Sequence, residues 1–198
     1  MIKGVNSSYR FVGLDLAARP ERPTGWAVVD ERLCLCMEPE EIFSDEEIMD
    51  KLKEVNPEWI GIDAPLTFPR GKMRLCDKEL RKFGSPALPP VLIAPLTKRG
   101  VSLYSILTGE GYNCIEVYPR ATQRILKIKT EGRKSRISWC VSCQKGISKW
   151  VNNVALPEEK VYSSHILDAI LCAYTAYCRW KGMYREVGDR EGKIVVPC

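Results

Sequence analysis

Two segments far apart in the chain, "VGLD" at 12–15 and "IGID" at 60–63, each close an apolar run with glycine, an aliphatic residue and aspartate. What lies around them limits the fold. The first run is followed by two more strand-like runs, "GWAVVD" (25–30) and "RLCLCM" (32–37), with Asp30 and Glu31 placed for a short hairpin turn. Next comes "SDEEIMDKLKEV" (44–55), with an N-cap serine, acids in the first turn and apolar residues at helical spacing. The second run, "EWIGIDAP", is a fourth strand stopped by Pro65, and "NCIEVYP" (113–119) is a fifth. Three adjacent strands, then a helix, then two strands joined by crossovers imply an α/β protein. Its sheet is mixed and five-stranded: the first three strands antiparallel, and the first, fourth and fifth parallel.

The remaining segments read as helices on this sheet. Short helices are expected near 73–84 and 102–110, a further one over "RATQRILKI" (120–128), and a partly helical stretch over 135–151. The last helix, "YSSHILDAILCAYTAYC" (162–178), is apolar for almost two turns beyond Asp168 and contains the only histidine, His165. "GKIVVP" (192–197) reads as a short extended tail. With 198 residues, 45% hydrophobic and 28% charged, and no repeat or linker, a single globular domain over 1–198 is expected. The opening "MIKGVNSSYR" lacks a signal-type apolar stretch, and no later run approaches the roughly 18 apolar residues of a membrane span. No membrane partner and a cytoplasmic location are therefore expected.

Nine cysteines are an odd number in a chain too long for a disulfide-stapled mini-domain. The Cys34/Cys36 and Cys140/Cys143 pairs lie too far apart in sequence for the usual zinc spacing. Charge is more informative. Net charge is +5, but 70–99 carries +6 and 119–149 carries +8, leaving −9 elsewhere. Segregation on this scale suits a polyanion-binding face; solvated helix faces are the competing reading.

In open α/β sheets, function collects outside the carboxyl ends of parallel strands. Asp15, Asp63 and Glu116 close or nearly close the first, fourth and fifth strands. His165 and Asp168 share a face of the last helix, which can pack across the sheet to the same edge. Carboxylates crowded together raise one another's pKa unless a cation screens them. An all-oxygen cluster suits Mg²⁺ or Mn²⁺. Each residue also has an ordinary use: strand or turn termination for Asp15 and Asp63, the helix dipole for Asp168, core packing for His165, and an ion pair with Arg120 or another base for Glu116.

The order of these acids resembles the RNase H-like nuclease superfamily. "GLDLAARPERPTGWAVV" and "HILDAI" resemble its Holliday-junction resolvase branch. "VGLDLAA", "GIDAPLTFPRG", "LTKRG", "IEVYPRAT", "HILDAILCAYTA" and "EGKIVVP" are similar to blocks of a broader family, domain of unknown function 429 (DUF429), whose members are predicted nucleases of RNase H-like fold. This resemblance spans nearly the whole chain. It implies a two-metal nuclease hydrolysing DNA or RNA; the basic helical segment between the fourth and fifth strands reads as an insertion. Asp15 would bridge two ions, Asp63 and Asp168 would each hold one, and His165 would add a ligand or carry a proton. Glu116 joins the candidate catalytic residues although it departs from the resolvase scheme. Resolvase-like enzymes often act as dimers, which makes a homodimer part of the expectation.

Arg70, Arg74, Arg99 and Arg120 come from loops near the same edge and are candidates for phosphate contacts. Trp26 and Tyr118 could stack on bases or simply pack in the core. Two other classes compete. A non-catalytic nucleic-acid-binding protein of the same fold would keep the basic segments. An actin-like or sugar-kinase ATP-binding domain also starts with such a strand, but needs a second domain, and here the one GxG, in "TGEGYN", precedes a strand.

Overall fold

The computed structural model describes residues 9–198; residues 1–8, most of the opening "MIKGVNSSYR", lie outside it. One mixed sheet contains β1 (Arg10–Asp15), β2 (Thr24–Asp30), β3 (Glu40–Ile42), β4 (Trp59–Ile62), β5 (Cys114–Val117), β6 (Tyr184–Asp189) and β7 (Gly192–Pro197). Their order is β3-β2-β1-β4-β5-β7-β6. The first three strands pair antiparallel, while β1, β4, β5 and β7 run parallel. The helices are α1 (Asp45–Val55), α2 (Leu75–Glu79), α3 (Ala94–Gly109), α4 (Pro119–Ile125), α5 (Ile137–Ile147) and α6 (Ser164–Lys181). None of them is long and apolar enough to cross a membrane.

Among the described residues the sheet has seven strands rather than five. "GKIVVP" is not a tail: as β7 it pairs parallel with β5 and antiparallel with β6. β6 escapes a pattern reading because Arg185 and Glu186 are exposed on an edge strand, where charge discourages further pairing. The third strand also moves. Asp30 Oδ1 accepts from the backbone N–H groups of Arg32 and Cys34, both at 2.9 Å, and Leu33 turns to φ 57°. That turn reduces "RLCLCM" to isolated bridges at Cys34 and Leu35, and β3 forms further on. The α1 helix runs as read, with Ser44 Oγ accepting from Glu47 N–H at 3.1 Å.

Strand alternation sorts the core onto two faces. Val12, Leu14, Ile60 and Ile62 pack with Ile48 and Leu52 of α1 and Leu103 and Leu107 of α3. Phe11, Ala27, Val29, Ile115 and Val117 pack on the other face with α6 and with Trp139, Cys143 and Ile147 of α5. A helix apolar on all sides has to be covered on all sides. Thirteen consecutive residues of α6, Ile166–Cys178, are buried.

The approach of α6 to the sheet explains the repeated glycines. A β-carbon at Gly13 would sit 1.9 Å from the Ala169 carbonyl oxygen, and one at Gly61 would sit 2.4 Å from that of Cys172. Gly25 on β2 meets the His165 carbonyl in the same way, at 2.1 Å. The glycines let the helix backbone lie almost against the strands. Two residues further along β1, and just past the end of β4, the aspartates point to this same face.

Candidate functional site

Asp15 ends β1, Asp63 follows β4, and Asp168 stands in the second turn of α6. One carboxylate oxygen from each lies within 4.8 Å of the other two. The backbone N–H of Asp63 donates to the Leu14 carbonyl at 2.8 Å, holding the two strand ends in step. Asp168 is 5% exposed and Asp15 9%. His165 reaches back to the same cluster, with Nδ1 2.7 Å from Asp15 Oδ2. Ser163 caps α6 by accepting from Ile166 N–H at 3.3 Å and donates its own hydroxyl to Glu41. Ser163→Ala is therefore expected to cost about 1 kcal/mol in a denaturant titration, with loosening confined to the turn that holds His165.

Three carboxylates so close carry more negative charge than their surroundings neutralise. Burial, then the charges of Asp15 and Asp168, push Asp63 well above the usual carboxylate range. Burial also lifts Asp168 to about 6, against the pull of Lys134. The hydrogen bond to Asp15 raises His165. Lys134, from the turn between α4 and α5, donates to Asp168 Oδ2. Burial works against its charge, but Asp168 and Asp15 outweigh that and hold it protonated. An all-oxygen donor set with unspent negative charge fits a hard divalent cation.

A cleft of about 1020 Å³ opens beside this cluster. Asp63 and Asp168 form part of its lining, and Arg120, Arg124, Lys127, Lys129, Arg133 and Lys134 supply a basic wall. Arg120 is the one sequence-selected arginine that lines it. Tyr118 is also in the lining, whereas Trp26 is 1% exposed and belongs to the core. The other basic residues of the wall were visible only as the +8 charge of 119–149. No spacing rule singled out Lys134, because a turn brings it to the site.

Other selected residues lie elsewhere. Arg74 is fully buried and cannot reach a phosphate. Its Nη1 donates to Glu116 and Thr67 Oγ1 at 2.8 and 2.9 Å. Its Nε and Nη2 donate to the two oxygens of Asp77 at 3.1 and 2.8 Å, and Nη2 also meets Glu116. Arg99, 8% exposed, donates to Asp45 and to the carbonyls of Ala17 and Phe43, tying α3 to the start of α1. Arg70 is exposed but does not line the cleft.

Glu116 also stands apart from the three aspartates. Its neighbours Ile115 and Val117 face α6, so Glu116 projects from the other side of the sheet. There it accepts from Leu66 N–H at 2.8 Å and from Arg74. Burial raises its pKa and Arg74 opposes that rise. Cys76, Asp77 and Glu116 form a second group with metal-ligand spacing. All four of its carboxylate oxygens, however, already accept hydrogen bonds from Arg74 or the Leu66 N–H, which leaves none turned toward a cation.

Fold and site together define a mixed α/β protein with two candidate metal-ligand clusters among the described residues, one of them open to a basic cleft. Residues 13–101 match a family model described as "Protein of unknown function (DUF429)". The match covers less than half of the chain. It includes Asp15 and Asp63 and stops before Lys134 and Asp168. No curated protein matches the chain.

Proposed function

We propose that this chain is a nuclease of RNase H-like fold and a member of the DUF429 family, hydrolysing phosphodiester bonds of DNA or RNA by a two-metal-ion mechanism. The observation that carries the reading is the meeting of Asp15, Asp63 and Asp168 within 4.8 Å, with Asp63 and Asp168 lining a basic cleft. These three would hold Mg²⁺ or Mn²⁺. When bound, such ions offset charge building on the phosphoryl oxygens and ease the deprotonation of water. The chain's own groups do the rest. Arg120, Arg124 and Arg133 present guanidinium forks to phosphate oxygens. With Nδ1 engaged by Asp15, the half-exposed His165 ring keeps Nε2 free to take up or release a proton. Glu116 has no part in this scheme. On this reading the chain is one RNase H-like domain in the cytoplasm, acting alone or as a homodimer.

The test is incubation with Mn²⁺ and labelled duplex, junction, single-stranded and hybrid substrates, beside Asp15→Asn and Asp168→Asn. Metal-dependent cleavage is expected, reduced about 10²–10³-fold in each variant. Cleavage that persists in Asp15→Asn would refute the assignment. One observation favours a second reading, a nucleic-acid-binding protein without catalysis: Lys134 already supplies a cation to Asp168. That reading predicts no turnover, and nucleic-acid affinity that stays level or rises when Asp15 is neutralised.

A further inference from the structure

Lys134 contacts the acid cluster although neither sequence spacing nor the family match singles it out. Its ammonium bonds Asp168. Its side chain is 53% exposed, whereas that of Asp168 is 7% exposed. It lies in the cleft wall, on the turn that joins α4 to α5. A buried carboxylate without a partner is costly, and Asp168 has two like charges within 4.8 Å. A flexible ammonium arriving from solvent satisfies it without a rigid frame, because lysine is a point charge on a mobile stem.

We propose that Lys134 is a built-in counter-cation that exchanges with the divalent ion: it holds the carboxylates together in the metal-free protein and leaves Asp168 when metal binds. An ammonium and a divalent cation cannot share the same carboxylate oxygen without strong repulsion. The freed side chain stays in the cleft wall, where its charge faces the phosphate path alongside Arg133. Lys134 is thus a positioning residue with two stations, the acid cluster and the substrate. The inference rests on the metal reading above, and the experiment separates the two.

Mn²⁺ affinity is measured by calorimetry and by the electron-spin signal of free Mn²⁺, for the wild-type chain, Lys134→Met and Lys134→Arg, with Asp168→Asn as the non-binding control. Melting temperature is recorded with and without Mn²⁺. Lys134→Met is expected to bind Mn²⁺ about ten-fold more tightly, the size of one like charge removed from a partly solvated site. It should melt lower than wild type without metal and recover with Mn²⁺. Lys134→Arg, which keeps the charge, should stay near wild type. A merely structural lysine would not give a loss that metal repairs. Equal or weaker Mn²⁺ binding by Lys134→Met overturns the exchange and leaves the metal site standing. Absence of Mn²⁺ binding in the wild-type chain overturns both.

Discussion

A Gly13→Ala variant is expected to lose about 3 kcal/mol of stability and, under conditions where it still folds, to bind Mn²⁺ far more weakly. The added methyl carbon would lie 1.9 Å from the Ala169 carbonyl oxygen and 2.4 Å from the Ala173 backbone nitrogen. Neither obstacle is a side chain that can rotate away, so the helix or the strand must move. Because α6 carries both His165 and Asp168, lifting it from β1 opens the distance to Asp15. Denaturant unfolding with a parallel Mn²⁺ titration measures both effects. A stable variant with unchanged Mn²⁺ affinity would mean that close helix–strand approach does not set the site geometry. Gly61→Ala, facing the Cys172 carbonyl, should behave alike.

Arg74→Ala is expected to be the more damaging of the two for stability, at about 3–5 kcal/mol, because it strands two buried carboxylates. All the guanidinium nitrogens are engaged, by Asp77, Glu116 and Thr67, and the side chains of this group are almost fully shielded from water. The network fastens the segment after β4 to β5, since Glu116 also accepts from Leu66 N–H. Lysine cannot replace it, as a single ammonium cannot reproduce the fork that spans two carboxylates. A Glu116→Gln/Asp77→Asn double variant in the Arg74→Ala background should recover part of the loss, because the unpaired charges disappear. Chemical denaturation of the three proteins reads this directly. A drop under 1 kcal/mol in Arg74→Ala would show that the network contributes little.

Much of the site was legible because its acids sit at positions with strong local rules. An apolar run that ends in aspartate marks a strand end, and the parallel-strand argument places such ends on one edge. The only histidine, three residues before Asp168, marks a helix face. Glu116 satisfied the same edge rule and still came out elsewhere. A strand end is one-dimensional information, and a shift of one residue sends a side chain through to the opposite face. Asp15 shares its face with Gly13, whereas Glu116 alternates with Ile115 and Val117. Only the position of α6 shows which face each set occupies.

Arginine was harder still. Arg74, Arg99 and Arg120 look alike as basic residues in loops near a sheet edge, yet two are buried structural ties and one lines the cleft. A guanidinium is equally suited to phosphate and to carboxylate, so its partner depends on what the fold brings near. The chain by itself determined the strand ends at Asp15 and Asp63 and the helices α1 and α6, which follow local periodicity and make a meeting of Asp15, Asp63 and Asp168 an expectation. Tertiary structure decided the faces, the β6–β7 extension, the burial of Arg74 and the arrival of Lys134. Those depend on contacts between residues distant in the chain, which periodicity over a few residues does not encode.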